Sequence, residues 1–261
     1  MSQYYSVLKN QFTPSSLSPV LFVNPYQNPF VNTVDNNGTR QRGNIIDSAT
    51  ATTGQALATA GTLGSKPIYN GEGWYFEGGA QLTTGSTSDY NFIHDGSDFD
   101  VWVTVFVCPT SSTTYARGIL TNNAFSNTNR GILLRINSVA GNNSLEFRCG
   151  NSSSAFISLT ATGAITPNTT HVIRVTRSGS SAKMYVNGSQ VASQTIGIPP
   201  GVGNAFGIMT VVPNGLATAN LYLKDVVIFN RALTTNEATK MNARTFASIT
   251  PTPLNVYLLA G

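Results

Sequence analysis

From position 100 onward, the hydrophobic residues of this chain fall in short runs separated by turn-forming residues. The run Asp100–Cys108 is dense in β-branched and aromatic residues and is closed by Pro109, so it predicts a strand. Further strands are predicted at 131–137, 144–148, 155–159, 171–176, 182–186 and 219–229. Asn187 and Gly188 predict a tight hairpin turn, because both residue types tolerate positive φ. Strands at this density predict a β-sandwich.

One helical signal interrupts the strands near the C-terminus. Thr234 stands three residues before Glu237, which is the spacing of a capping box, and Ala238–Arg244 follows. The sequence therefore predicts a helix of about two turns that opens at Thr234.

The two ends of the chain differ from this pattern. Residues 1–30 carry four prolines and scattered aromatic residues, which prevent a helix and favour an extended path. Residues 246–261 return to apolar, β-type residues that would invite aggregation if they were exposed. We therefore predict an extended N-terminal arm at 1–30, a sandwich domain at 31–245, and a paired or docked apolar tail at 246–261.

Composition and charge argue against a nucleic-acid partner and against insertion into a membrane. Charged residues make up 10% of the 261 residues, against roughly 25% in an ordinary soluble domain. The net charge is +4 and the 15 Lys and Arg residues are scattered, so we expect no nucleic-acid partner. The chain lacks a run of about 18 apolar residues, so no membrane insertion is expected. The first residues lack the pattern of a secretory signal, which predicts synthesis in a host cytoplasm.

Catalytic chemistry finds little support in the sequence. A glycosidase needs two facing carboxylates. The nearest pair of glutamates, Glu72 and Glu77, has an odd spacing that would place the two on opposite faces of a strand. The histidines, His94 and His171, lack a G-x-S-x-G motif. We therefore predict a protein that is not an enzyme.

Two features leave alternatives open. The loop His94–Asp100 holds three acids that could ligate calcium through oxygen, although a Gly-Ser-Asp turn explains it equally well; no other metal or cofactor is expected. Cys108 and Cys149 are predicted to be small buried hydrophobic residues, with a single disulfide bridge as the alternative.

Four motifs occur in a fixed order within the stretch 74–244, which is about 170 residues long. They are Tyr75–Gly79, Asp89–Val101, His171–Gly188 and Leu223–Leu233. This order resembles the three-part laminin G-type pattern of concanavalin A-like jelly rolls, which is common in phage and bacterial surface proteins. The resemblance implies an all-β fold, a two-sheet antiparallel jelly-roll sandwich with one short C-terminal helix. The extended terminal arms fall outside the family pattern and are predicted from the composition of the chain ends.

The resemblance and the chain ends together predict a virion structural protein. Phages use this module on heads and tails, so we expect a capsid decoration protein or a head- or tail-fibre component, located in the virion and held to other virion proteins through its terminal arms. An extended arm and an apolar tail favour exchange between copies, so a homo-oligomer is expected. Deletion of residues 1–30 should leave a folded domain that no longer joins its assembly.

The alternative is a secreted or surface lectin or adhesin, and contact with a cell-surface glycan fits both interpretations. Sugar sites use exposed aromatic rings that stack against pyranose faces. Tyr69, Tyr90 and Tyr115 stand near predicted turns and are the weak candidates for such a site. Partly buried packing explains each of them as well.

Overall fold

A computed structural model describes the chain at residues 17–23, 33–34, 40–41, 45–46, 56–60, 68–69, 73–76, 81–83, 88–93, 95–109, 115–121, 131–139, 142–150, 156–198, 207–208 and 221–243. Its strands are β1 (Leu21–Val23), β2 (Thr33–Val34), β3 (Arg40–Gln41), β4 (Ile45–Ile46), β5 (Ala56–Ala60), β6 (Ile68–Tyr69), β7 (Trp74–Phe76), β8 (Gln81–Thr83), β9 (Phe99–Val107), β10 (Tyr115–Thr121), β11 (Ile132–Val139), β12 (Asn142–Gly150), β13 (Phe156–Ala161), β14 (Thr169–Ser178), β15 (Ser181–Val186), β16 (Ser189–Thr195), β17 (Gly207–Ile208) and β18 (Leu221–Phe229). A 3-10 helix spans Ser88–Ile93, and the α-helix α1 spans Thr235–Asn242.

The strands form two antiparallel sheets, as the sequence predicts for a jelly-roll sandwich. The first sheet has the order β16-β15-β14-β9-β18-β7-β6, and the second has the order β13-β12-β11-β10-β17-β8-β5-β4. A two-stranded sheet of β2 and β3 stands apart from both. Strand β16 lies outside the predicted strands because Ser189–Thr195 is polar and largely exposed, so it carries little hydrophobic signal.

The core lies between the inner faces of the two sheets. On β9 the residues Val101, Val103 and Val105 point into it, and on β12 Leu145 and Phe147 do the same. This alternation follows from the two-residue repeat of a strand. Eight of the nine residues of β9 are buried, because this central strand is covered on its outer face as well. That double burial explains why its sequence reads as an unbroken apolar run.

The outer face of the first sheet carries a second, smaller core beneath α1. Trp102 on β9 and Phe229 on β18 pack there against Ala238 and Met241 of the helix. The predicted capping box is present, since Thr234 accepts the Glu237 backbone N–H while the Glu237 carboxylate accepts the Thr234 backbone N–H. The helix is thus fixed at its first turn and by one apolar face.

Strand β1 joins the first sheet beside β18. Leu21, Phe22 and Val23 pair with Ile228, Val227 and Val226 in that order, and the Leu21 side chain is fully buried in the main core. The predicted arm at 1–30 therefore overlaps the sandwich at residues 17–23. A short apolar stretch between two prolines is long enough for a three-residue strand. The prediction of an extended arm did not take this stretch into account.

The Glu237 carboxylate gives the helix a pH-dependent anchor. Hydrogen bonds from Arg231 and Thr234 lower the pKa of Glu237 from 4.5 to about 2. Because the carboxyl group is more acidic in the folded chain, its stabilising contribution is complete above about pH 4.5 and is lost as the pH falls toward 2. We expect Glu237→Gln to lower the free energy of unfolding by about 1 kcal/mol at pH 7, and the difference from wild type to close near pH 2.

Urea unfolding at pH 7, 4 and 2 measures this difference. Lys240→Gln, on the exposed side of the same helix, is the matched control and should change stability little at any pH. A Glu237→Gln deficit that stayed constant from pH 7 to pH 2 would contradict the assigned carboxylate role.

Candidate functional site

A row of three side chains crosses the outer face of the first sheet. Arg174 on β14 lies opposite Trp102 on β9 and opposite Tyr185 on β15 in the strand register. Its guanidinium carbon lies 5.1 Å from the centre of the Trp102 ring and 5.0 Å from the centre of the Tyr185 ring. The cation therefore contacts both aromatic rings through cation–π interactions.

A buried carboxylate in the neighbouring row of the same sheet face, that of Asp100, fixes Arg174. Arg174 donates from Nε to Asp100 Oδ1 at 2.9 Å and from Nη2 to Asp100 Oδ2 at 2.6 Å. Asp100 is fully buried and also accepts the backbone N–H of Leu233 at 3.0 Å. Burial raises the pKa of Asp100, and the hydrogen bonds from Arg174 limit that rise. The same carboxylate thus holds the arginine and the chain segment that leads into α1.

A groove of about 660 Å³ opens between this face and α1. Outward-pointing residues of β9, β14 and β15 form its floor, and α1 with the segment before it forms its wall. The lining consists of Trp102, Val172, Arg174, Thr176, Ser178, Ser181, Lys183, Tyr185, Gly188, Ala232, Leu233, Thr235, Ala238, Thr239 and Asn242. Hydroxyl groups dominate its polar surface, and none of these described lining residues carries a carboxylate.

The predicted hairpin turn closes one end of the groove. Asn187 and Gly188 have φ values of 51° and 83°, which confirms the positive φ expected from the sequence. A Cβ atom added to Gly188 would lie 2.8 Å from Nδ2 of Asn242, the last residue of α1. The backbone conformation therefore favours glycine there, and a larger residue would also have to displace the side-chain amide of Asn242.

Of the three tyrosines predicted to contact sugar, Tyr90 has a side chain that the structure describes. Tyr90 is 4% exposed and packs in the main core with its ring 6.3 Å from that of Phe92, so it cannot stack against a ligand. Tyr69 lies on β6 in the first sheet and Tyr115 on β10 in the second, and their side chains lie outside the described residues. An aromatic residue near a turn can face inward as readily as outward, which is why the prediction for Tyr90 is wrong.

The acids of the loop at 94–100 diverge instead of converging on a cation. The Ser97 side chain lowers the pKa of Asp95 by a hydrogen bond, and the Ser97 backbone N–H, which donates to Asp95 Oδ1 at 2.9 Å, lowers it further. Asp98 accepts the Gly179 backbone N–H at 2.7 Å, and Asp100 is engaged by Arg174. Within the described part of the chain, no three His, Cys, Asp or Glu side chains are grouped to hold a metal. Calcium at this loop therefore finds no support in the geometry.

Neither cysteine fits a nucleophile. Cys149 on β12 is buried, and burial raises the pKa of its thiol to about 12. Cys108, which follows β9, is half-buried and its pKa is also raised by burial. Both thiols are free in the structure, so the alternative of a bridge finds no support. The prediction of a small buried residue holds for Cys149, whereas Cys108 is only half-buried.

The carboxylates of Glu146 and Glu237 are both paired with arginine side chains. Glu146 binds Arg135 and Arg148 on the second sheet, while Glu237 binds Arg231 beside α1. Glu72 and Glu77 lie outside the described residues. In the described ranges, no helix is long and apolar enough to cross a membrane.

Residues 85–239 match the Laminin G 3 family, described as the Concanavalin A-like lectin/glucanases superfamily. This match covers more than half of the chain, and the chain therefore belongs to that family, as the motif order in its sequence predicts. No curated protein matches the chain in sequence.

Solved structures share the fold at low identity. Botulinum neurotoxin type C, whose cell entry depends upon interaction with two ganglioside molecules, matches with a TM-score of 0.59 at 12% identity over 88% of this chain and 52% of its own. The receptor-binding domain of botulinum neurotoxin type G matches with a TM-score of 0.57 at 16% identity over 86% and 50%. The CBM40 domain of the Ruminococcus gnavus IT-sialidase, bound to α2,3-sialyllactose, matches with a TM-score of 0.51 at 11% identity over 68% and 96%.

The protein spans about half the length of the toxin chains that it matches. At these identities the likeness shows a shared jelly-roll fold and nothing about shared residues. The chemistry of this chain must be argued from its own groove.

Proposed function

We propose that this chain is a carbohydrate-binding domain that holds a glycan, without catalysis, in the groove between the outer face of the first sheet and α1. The observation that carries the proposal is a half-buried tyrosine, Tyr185, set beside a floor of hydroxyl groups in a groove of about 660 Å³. Ligand sites of proteins commonly have volumes of about 300–1,000 Å³. Sugars need this combination of an aromatic face and hydrogen-bonding groups.

Tyr185 is the aromatic residue of the groove best placed to contact a ligand. Trp102 is only 2% exposed beneath α1, whereas Tyr185 is half-buried. The cation–π contact with Arg174, which is itself held by Asp100, fixes the Tyr185 ring on the side of Arg174. A ring that is fixed before binding loses little entropy when a sugar stacks on it.

Proteins of similar fold that bind glycans support the proposal. Botulinum neurotoxin type C interacts with gangliosides, and the IT-sialidase CBM40 domain binds α2,3-sialyllactose. Non-catalytic binding is favoured because none of the described residues that line the groove carries a carboxylate, while glycoside hydrolysis needs an acid and a base or nucleophile on either side of the bond.

A broad glycan array followed by calorimetric titration of the strongest ligand tests this function. We expect Tyr185→Ala to weaken binding at least about tenfold, equivalent to about 1.4 kcal/mol. Tyr222→Ala is the matched control, since Tyr222 is a half-buried tyrosine of the same sheet that does not line the groove. Equal losses in the two variants would overturn the groove as the site, and a wild-type protein that binds no glycan would overturn the function.

The virion role stays a prediction. It rests on residues 1–30 and 246–261, of which the structure describes only 17–23. The virion location, the contacts with other virion proteins and the homo-oligomer belong to the same prediction. Density-gradient banding of source material tests it, with stoichiometric co-banding of this chain with particles as the expected result and its presence only in the soluble fraction as the contrary one.

A further inference from the structure

The described lining of the groove includes two cationic side chains, of which one is paired with a carboxylate and the other is not. Arg174 is paired through two hydrogen bonds with the fully buried Asp100, so its charge is balanced inside the protein. Lys183 on β15 is exposed and takes part in none of the ion pairs formed by the described residues. The groove therefore offers a ligand the positive charge of Lys183.

Lys183 stands on the same face as the proposed stacking residue. It lies two positions before Tyr185 on β15, so both side chains point outward, with their Cα atoms about 7 Å apart along the strand. It also lies opposite Thr176 in the register. One sugar residue stacked on Tyr185 would therefore present a substituent to Lys183.

Two carboxylates of the described residues lie close to the groove without lining it. Asp100, two positions before Trp102 on the same face of β9, is neutralised by Arg174. Asp98 stands beside the end of the groove, where it accepts the Gly179 backbone N–H at 2.7 Å and the Ser178 hydroxyl at 3.4 Å. Ser178 pairs with Ser181, one row away from Lys183 in the register.

We infer that the groove selects glycans that carry an anionic substituent, a carboxylate or a sulfate, and that Lys183 is the residue that contacts it. This inference rests on the proposed function. A lysine is a compact point charge without the fork geometry of arginine. Lys183 therefore suits either anion, and it selects a ligand by its negative charge more than by the shape of the anionic group. Tyr185 supplies affinity for any sugar, and Lys183 supplies the preference.

An array of matched glycans separates the inference from the proposed function. Each neutral glycan is printed beside its sialylated, uronate and sulfated counterparts, so that the source of the anion is resolved. We expect wild type to bind the acidic member of a pair about tenfold more tightly. Lys183→Gln should remove this preference, so that the neutral and acidic members of a pair bind with equal affinity, whereas Lys183→Arg should keep most of it. Lys224→Gln, on β18 and outside the groove lining, should behave as wild type.

The outcomes are distinguishable. Binding of neutral and acidic members with equal affinity would overturn the anion preference and leave the proposed function standing. An acidic preference that survives Lys183→Gln would overturn the role of Lys183. A protein that binds no member of any pair would overturn the proposed function itself.

Discussion

Replacement of Asp100 by alanine should lower the free energy of unfolding by about 3–5 kcal/mol. The substitution removes the partner of Arg174 and leaves a guanidinium wedged between Trp102 and Tyr185 without its counter-charge. It also removes the acceptor of the Leu233 backbone N–H, a buried donor at the entry to α1. A buried donor that loses its acceptor costs about 1–3 kcal/mol by itself.

Chemical denaturation of wild type, Asp100→Ala and Asp95→Ala measures the effect. Asp95 is the matched control because it is an exposed aspartate of the neighbouring loop, and its substitution should change stability by no more than about 0.5 kcal/mol. The double variant Asp100→Asn with Arg174→Met should recover part of the loss, since no charge then remains unpaired. If Asp100→Ala were as stable as Asp95→Ala, the ion pair between Asp100 and Arg174 could not be what fixes Arg174 between the two aromatic rings.

The elements that depend on neighbouring residues could be predicted from the sequence. Pattern and turn chemistry suffice for the strand over Asp100–Cys108, which the structure places at Phe99–Val107, and for the hairpin turn at Asn187 and Gly188. The capping box at Thr234 and Glu237 is likewise a local signal. The sandwich fold could be predicted as well, because the order of the four motifs indicates which strands occur and in which order they follow one another.

The groove could not be predicted in this way because its parts are distant along the chain. Arg174 and Asp100 are 74 residues apart, and Asp100 and Leu233 are 133 residues apart. Strand alternation places Lys183 and Tyr185 on one face of β15, and that signal was available. What turns this face into a groove is the docking of α1 over Trp102, which depends on a tertiary contact that no local pattern records.

Deletion of residues 1–30 should destabilise the sandwich more than deletion of residues 1–16, which keeps β1. The longer deletion removes β1 and with it the Leu21 side chain, which is fully buried in the core. Loss of one buried leucine side chain costs about 2–5 kcal/mol. The deletion also exposes the backbone edge of β18 opposite 21–23 and removes the carbonyl of Leu17, which Arg231 contacts at 3.4 Å. The summed loss approaches the total stability of a typical domain, about 5–15 kcal/mol.

Thermal and urea unfolding of the two deletions, with Leu21→Ala in the full chain as a third variant, measures this prediction. We expect the midpoint of Leu21→Ala to fall below that of wild type, and the 1–30 deletion to be the least stable variant or to fail to fold. Wild-type stability of the 1–30 deletion would contradict the role of β1 and would support the interpretation of 1–30 as an arm outside the sandwich. The 1–16 deletion keeps β1, so it is the variant with which the predicted contacts to other virion proteins are tested. If it folds as wild type does but no longer assembles, the loss is attributable to the residues removed.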